Sequence, residues 1–226
     1  MIGKKKMMII PSGETLSSNI ISEFKFENNV LDTAGNNNGT ATDITYGVGL
    51  VGSSAIFNGT TSQVSFGDAN TLNGIVDCTV SFLAKRTVNM IGKVSAFDYG
   101  TYTSWGNFQL SGTTGSFFWT PNDTTQFRLA EMNNKFVLNE WRHVIIRRTY
   151  NPNENISGFS NGILTHSANS GGTAPKQSTA PFLIGNGYIG NWLGEIENFR
   201  IWNIALSNEQ CLDIAAQELA GIDINP

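Results

Sequence analysis

Turn residues interrupt this chain at short intervals, and that punctuation leaves room for strands but for very little helix. Extended runs at Phe24–Phe26, Ser54–Phe57, Gln63–Phe66, Thr79–Ala84, Asn107–Leu110, Ser116–Trp119, Gln126–Ala130, Arg142–Arg147, Ile156–Phe159, Phe182–Gly185 and Ile196–Trp202 are separated by Asn-Gly, Gly-Thr, Pro-Asn and Ser-Gly clusters. Such runs, rich in β-branched and aromatic residues and bounded by turn formers, predict strands, and many short strands without helical periodicity between them predict a β-sandwich. The composition agrees: 24 glycines supply positive φ at turns, and only 14% of residues are charged. At 226 residues the chain suits one large sandwich rather than two small domains.

The period changes near the C-terminus. Ser207-Asn-Glu-Gln210 has the pattern of a capping box, in which the serine accepts from the third helical amide and the glutamine reaches back. Leu212, Ala215, Ala216 and Leu219 then predict one apolar face, with Gly221 placed to end the helix. At the other end, Lys4–Lys6 followed by Met7–Ile10 imitates a signal peptide, but Pro11 stops the apolar run after four residues, short of the roughly 7–15 that a signal core needs. Residues 1–18 are therefore read as an N-terminal arm and 19–226 as the domain. Two cysteines, Cys78 and Cys211, without neighbouring Cys or His at metal spacing, are expected as buried free thiols, with a single disulfide as the alternative.

A set of segments in order resembles the laminin-G-like, concanavalin A-like lectin jelly rolls. Phe26–Gly39 (FENNVLDTAGNNNG) is similar to the family's opening strand and its Asp- and Gly-bearing loop, and Ala55–Gly59 with Val64 and Phe66 to its Phe-x-Gly hairpin. Thr79–Lys85 (TVSFLAK), Glu140–Val144 (EWRHV), Ser160–Gly162 (SNG), Leu183–Gly185 and Leu193–Ser207 follow in the family's order. Two departures stand out: Leu83 occupies the place of a usual tryptophan, and Glu197-Asn198 that of a usual Asp-Glu. The resemblance implies an all-β, two-sheet antiparallel jelly-roll sandwich with one short C-terminal helix. It says little about chemistry, since such scaffolds host many functions.

Candidate chemistry falls in few places. In Glu195-Ile196-Glu197-Asn198-Phe199, alternation puts Glu195, Glu197 and Phe199 on one face, so the third position, where the resembled glycosidases carry an acid, is apolar. Glycoside hydrolysis is accordingly the least favoured reading, and no catalytic residue is assigned. Gly185–Gly190 spells G-x-G-x-x-G, but it lies between strands rather than opening a helix, so it predicts a hairpin and not a dinucleotide site. His143 and His166, the only histidines, are too few for a zinc site.

A structural calcium ion is the cofactor expectation, with Asp32 and Asn36 of the Gly-bearing loop and Glu197 and Asn198 of the late strand as ligands, against the alternative of an Asx-turn loop closed by hydrogen bonds. For sugars the signal is aromatic residues among polar ones: Asp98, Tyr99, Tyr102, Trp105 and Asn107, then Trp119, then Tyr188 and Trp192. The alternative is that a sandwich of this size consumes such residues in its core.

These readings converge on a non-catalytic, glycan-binding or adhesive module working outside the cell or on a virion surface, with a cell-surface or matrix glycan as partner. A structural component of a larger particle, such as a bacteriophage capsid decoration or tail appendage contacting neighbouring subunits through the arm, is the second reading. A net charge of −4 argues against nucleic acid, and no apolar run approaches the roughly 18 residues of a membrane span.

Overall fold

A computed structural model of the chain describes residues 16–67, 74–88, 93–99, 106–119, 128–150, 155–169, 180–187 and 189–225; side chains 16, 93, 94, 99, 106, 119 and 128–130 are not described. After a 3-10 turn at Leu16–Asn19, the early strands are β1 (Ile20–Phe24), β2 (Thr40–Thr42), β3 (Thr45–Val48), β4 (Ser53–Asn58), β5 (Gln63–Phe66), β6 (Cys78–Arg86) and β7 (Lys93–Tyr99). The middle of the chain forms β8 (Gly106–Ser111), β9 (Thr114–Trp119), β10 (Arg128–Met132), β11 (Trp141–Thr149), β12 (Asn155–Ser160) and β13 (Ile163–Asn169). Then come β14 (Phe182–Ile184), β15 (Leu193–Trp202) and the helix α1 (Asn208–Leu219).

Among the described residues the strands make two antiparallel sheets. One runs β13-β12-β11-β6-β15-β4-β3, with β1 also paired to β15, and the other runs β10-β9-β8-β7-β14-β5-β2. Alternation along each strand decides what lies between them. On β11, Val144 and Ile146 join the inter-sheet core, while Ile145 joins a second cluster on the other face. The inter-sheet core is aromatic: Phe82, Phe97, Phe108, Phe182 and Phe199 meet with ring centroids 5.3–6.3 Å apart.

The second cluster sits on the outer face of the eight-stranded sheet, where Ile145, Phe159 and Trp202 receive Leu206, Cys211 and Ile214 of the helical segment. The capping box is formed as expected: Gln210 N donates to Ser207 Oγ, and Ser207 N donates to Gln210 Oε1. The helix ends in a Schellman arrangement, with Gly221 at φ +76°, its N–H on Glu218 O and the Ile222 N–H on Gln217 O.

The buried face of α1 is Cys211, Ile214, Ala215 and Glu218, not the predicted Leu212 face; Leu212 is 49% exposed. The apolar pattern misled because the helix buries a carboxylate, for a reason given below. The first strand also differs: it ends at Phe24, which bridges to Asp32, and Phe26 has φ +63°, outside any strand. Strands β2, β3, β7 and β13 are additional to those predicted, and the predicted run at 126–130 is found as Arg128–Met132, its first two residues lying outside the described ones. Residues 1–15 of the expected arm also lie outside them. Both cysteines are free and buried, Cys78 in the inter-sheet core and Cys211 beneath the helix.

Candidate functional site

The outer face of the seven-stranded sheet is built from side chains that the core rejected. On β8, Phe108 and Leu110 enter the core, so Asn107 and Gln109 point away from it. On β7 a bulge between Ser95 and Phe97 sends both Ala96 and Phe97 into the core and leaves Ser95 and Asp98 on the outer side, opposite Gln109 and Asn107. Register extends this into two rows. One crosses the sheet as Phe118, Asn107, Asp98, Leu183, Ser65 and Thr40. The other runs Glu131, Ser116, Gln109 and Ser95.

Although they point away from the core, the central members are shielded: Asn107 is 0% and Gln109 3% exposed, and Ser95 and Asp98 are buried too. Both amide atoms of Asn107, Nε2 of Gln109 and Oγ of Ser95 have no hydrogen-bond partner. A buried polar group left unpaired costs about 1–3 kcal/mol, so four such atoms on one face mark a place that carries something other than stability.

The segment after β14 helps shield them. Gly185 N donates to Ala96 O, Gly190 O accepts from Ser95 N, and Asn191 bridges to Ser95. A Cβ at Gly187 would stand 2.7 Å from Ser95 Oγ and 2.8 Å from Asp98 Cβ, so only glycine lets this segment lie so close. The G-x-G-x-x-G stretch, expected as a hairpin, is instead a crossing between the sheets, since β14 and β15 belong to different ones, and its described residues also wall the polar face.

The predicted ligand residues divide. Asp98 and Asn107 are neighbours in one row. Tyr99 and Trp119 end β7 and β9, both opposite Gly106, with side chains among those not described. Tyr102, Trp105 and Tyr188 lie outside the described residues. Trp192 requires correction: it is fully buried in the inter-sheet core, with its backbone N–H donating to Gly185 O at 2.7 Å as the chain turns into β15. Ser95, Gln109 and Phe118 were not anticipated. The signal for Gln109 was in the alternation Asn107-Phe108-Gln109-Leu110, whereas the bulge that sets Ser95 and Asp98 on the outer side has no sequence mark.

The proposed calcium ligands do not fit a cation. Asp32 Oδ1 accepts from the amides of Glu23, Ala34 and Gly35 at 2.8–3.1 Å, and Oδ2 from Asn37 N at 3.1 Å. Glu197 is buried and accepts from the amides of Leu50, Val51 and Gly52 at 2.6–2.9 Å, its carboxyl raised above the ordinary value by burial and drawn down by those amides. Asn198 donates to Glu218 at 3.0 Å, and Asn36 is exposed. Calcium needs six to eight oxygens facing it. Here N–H groups face the carboxylates, and no group of three or more His, Cys, Asp or Glu that could hold a metal occurs among the described residues.

The acidic strand is also rearranged. Asn198, at φ +50°, lies within a bulge between Glu197 and Arg200, so Phe199 enters the core while Glu195 and Glu197 do not. The expected alternation of Glu195, Glu197 and Phe199 on one face is therefore wrong. Glu195 pairs with Lys85 and accepts from Ser54 Oγ, both at 2.8 Å.

With this geometry in view, the sequence matches the concanavalin A-like lectin/glucanases superfamily over residues 58–211, more than half of the chain. The chain belongs to that superfamily. No curated protein matches it in sequence. Among solved structures, domain 4 of AbnA, an extracellular arabinanase of Geobacillus stearothermophilus solved with arabinotriose, is similar at 20% identity and TM-score 0.71, over 87% of this chain and 98% of that one. The botulinum neurotoxin serotype D ligand binding domain, solved with N-acetylneuraminic acid, is similar at 15% identity and TM-score 0.71, over 88% of this chain. The binding domain of Paraclostridial Mosquitocidal Protein 1 is similar at 16% identity and TM-score 0.73, over 89%. This superfamily member spans about half the length of those two binding domains, 51% and 52%.

Proposed function

We propose that this chain is a carbohydrate-binding module that holds a sugar chain on the outer face of its seven-stranded sheet. The observation that carries this is the set of unpartnered amide and hydroxyl atoms of Asn107, Gln109 and Ser95. Sugar hydroxyls are donors and acceptors at once, and where the segment that shields this face gives way to the ligand they satisfy a primary amide on both of its atoms. Phe118, half-buried at the end of the same row, offers an apolar surface beside those amides. The arabinotriose on AbnA domain 4 and the N-acetylneuraminic acid on the toxin domain support a sugar as the ligand class.

The module binds without cleaving. Among the described residues the carboxylates of this face are Asp98 and Glu131, and β10 and β7 are three strands apart, which separates them by about 14 Å at the usual strand spacing. Two-carboxylate glycoside hydrolysis works at roughly 5–9.5 Å. Such a module acts at cell surfaces or in the matrix, where glycans are. The particle-component reading depends on residues 1–15, outside the described ones, and the sugar reading does not need it.

A glycan-array screen followed by calorimetry with the best neutral oligosaccharide tests the proposal. Selective binding that falls about tenfold or more in Asn107→Ala and in Gln109→Ala is expected, with no new reducing ends released. A blank array, or binding indifferent to both substitutions, overturns it.

A further inference from the structure

We infer that the chain has a second ligand site, a cleft at the end of the sandwich that takes the carboxylate of a uronic acid residue. The cleft measures about 480 Å³, within the range of about 300–1,000 Å³ of small-ligand sites, and is walled by the β12–β13 turn, β11 and the residues that follow β10. It lies beyond the last core residues of those strands. Val144 and Ile146 fill the inter-sheet space along β11, and by the same alternation Arg142 points into the gap where that core ends.

Two cations line it, Arg142 and Lys135. Arg142 is mostly buried, and its Nε has no partner. Its acidic neighbour is Glu140, at 3.6 Å and 58% exposed, a contact too long for a hydrogen bond and open to solvent. Lys135 is exposed at the mouth. Ser160, on the neighbouring strand opposite Val144, also lines the cleft, is 4% exposed, and has an Oγ likewise without a partner. The wall is rigid: Asn161 and Gly162 make a tight turn at φ +53° and +76°, held by Asn161 Oδ1 accepting from His143 N at 3.0 Å. Ile163, exposed and paired in register with Ser160, adds an apolar side.

A guanidinium with an unused N–H, a lysine and a buried free hydroxyl select a planar anion carried on a polyol. The guanidinium fork matches a carboxylate, the serine takes a ring hydroxyl, and the apolar side receives the ring's C–H face. This chemistry is opposite in sign to the first site, where the charged groups among the described side chains are Asp98 and Glu131. The two sites therefore sort neutral from acidic sugars.

Titrations with glucuronate and galacturonate, against glucose, galactose and inorganic phosphate, test the inference on the full chain. Each uronate differs from its neutral partner at a single carbon. The uronates are expected to bind about tenfold more tightly than the neutral sugars and to weaken as salt is raised. Arg142→Gln should weaken the uronates about tenfold and Lys135→Ala about threefold, while neutral-glycan binding at the Asn107 face is retained. Absence of uronate binding up to about 1 mM, uronate binding unchanged in both variants, or phosphate binding as tightly as the uronates would each overturn it. Should Arg142→Gln lower the melting temperature, Lys135→Ala and Ser160→Ala decide. Failure here with retained Asn107-dependent binding leaves the first site standing, and the reverse outcome leaves the second.

Discussion

The ring Nε2 of His143 lies 2.8 Å from Glu218 Oε2, with both side chains buried. The other oxygen of Glu218 accepts from Arg200 and from Asn198 Nδ2, and Arg200 also donates to Glu23 and to Asp223. Three strands and the C-terminal segment are thereby joined through one buried guanidinium, and this is why α1 turns a glutamate toward the sheet.

Acid should weaken that joint. Burial works to raise the Glu218 carboxyl, but Arg200 and His143 outweigh it and hold it below its ordinary 4.5. A folded value below the unfolded one means stability that is complete above about pH 4.5 and lost as pH falls through the folded value. Melting temperature against pH should show this acid limb, and Glu218→Gln should flatten it. The same substitution should cost about 3–5 kcal/mol at neutral pH, because Arg200 is left buried with part of its pairing gone.

Asp32 closes its loop by hydrogen bonds to four amides. Asp32→Ala should therefore destabilise the fold by about 2–4 kcal/mol in urea unfolding. Melting temperature should be the same in chelator and in added calcium. A calcium-dependent rise would show that the amide cradle opens to accept a cation.

Asn107 should display a trade between stability and binding. Asn107→Leu removes two unpartnered buried atoms at similar volume, and the denaturant midpoint should rise by the equivalent of about 1 kcal/mol. Glycan binding should fall in the same variant. A comparable loss of stability instead would mean that the amide is satisfied in the free protein.

Burial pushes the Cys78 and Cys211 thiols up to about 12. The thiolate is the reactive form, so neither should react with a disulfide reagent near pH 8 in the folded protein, and both should react in denaturant. Rapid labelling of the native protein would place one of them at a surface that opens.

Much of this fold was legible because it follows from local chemistry. Gln63–Phe66 alternates and is bounded by turn residues, and it forms that strand to the residue. The capping box at Ser207 and the stop at Gly221 are interactions among neighbours in sequence, so they too were readable. The ordered segments from Phe26 to Ser207 pointed to the superfamily.

What the sequence alone determined was therefore most of the described strands, the sandwich class and the ends of the helix. Tertiary structure decided which face of each strand met the core. Two bulges, at Ser95–Phe97 and Glu197–Arg200, shift the alternation by one residue and redirect every side chain beyond them. One leaves Ser95 on the outer side beside Gln109, and the other sends Phe199 into the core and Arg200 beneath the helix. Trp192 and Glu218 were misjudged for a related reason. Whether an aromatic or a charged side chain is buried depends on what distant strands bring opposite to it, and no local pattern carries that information.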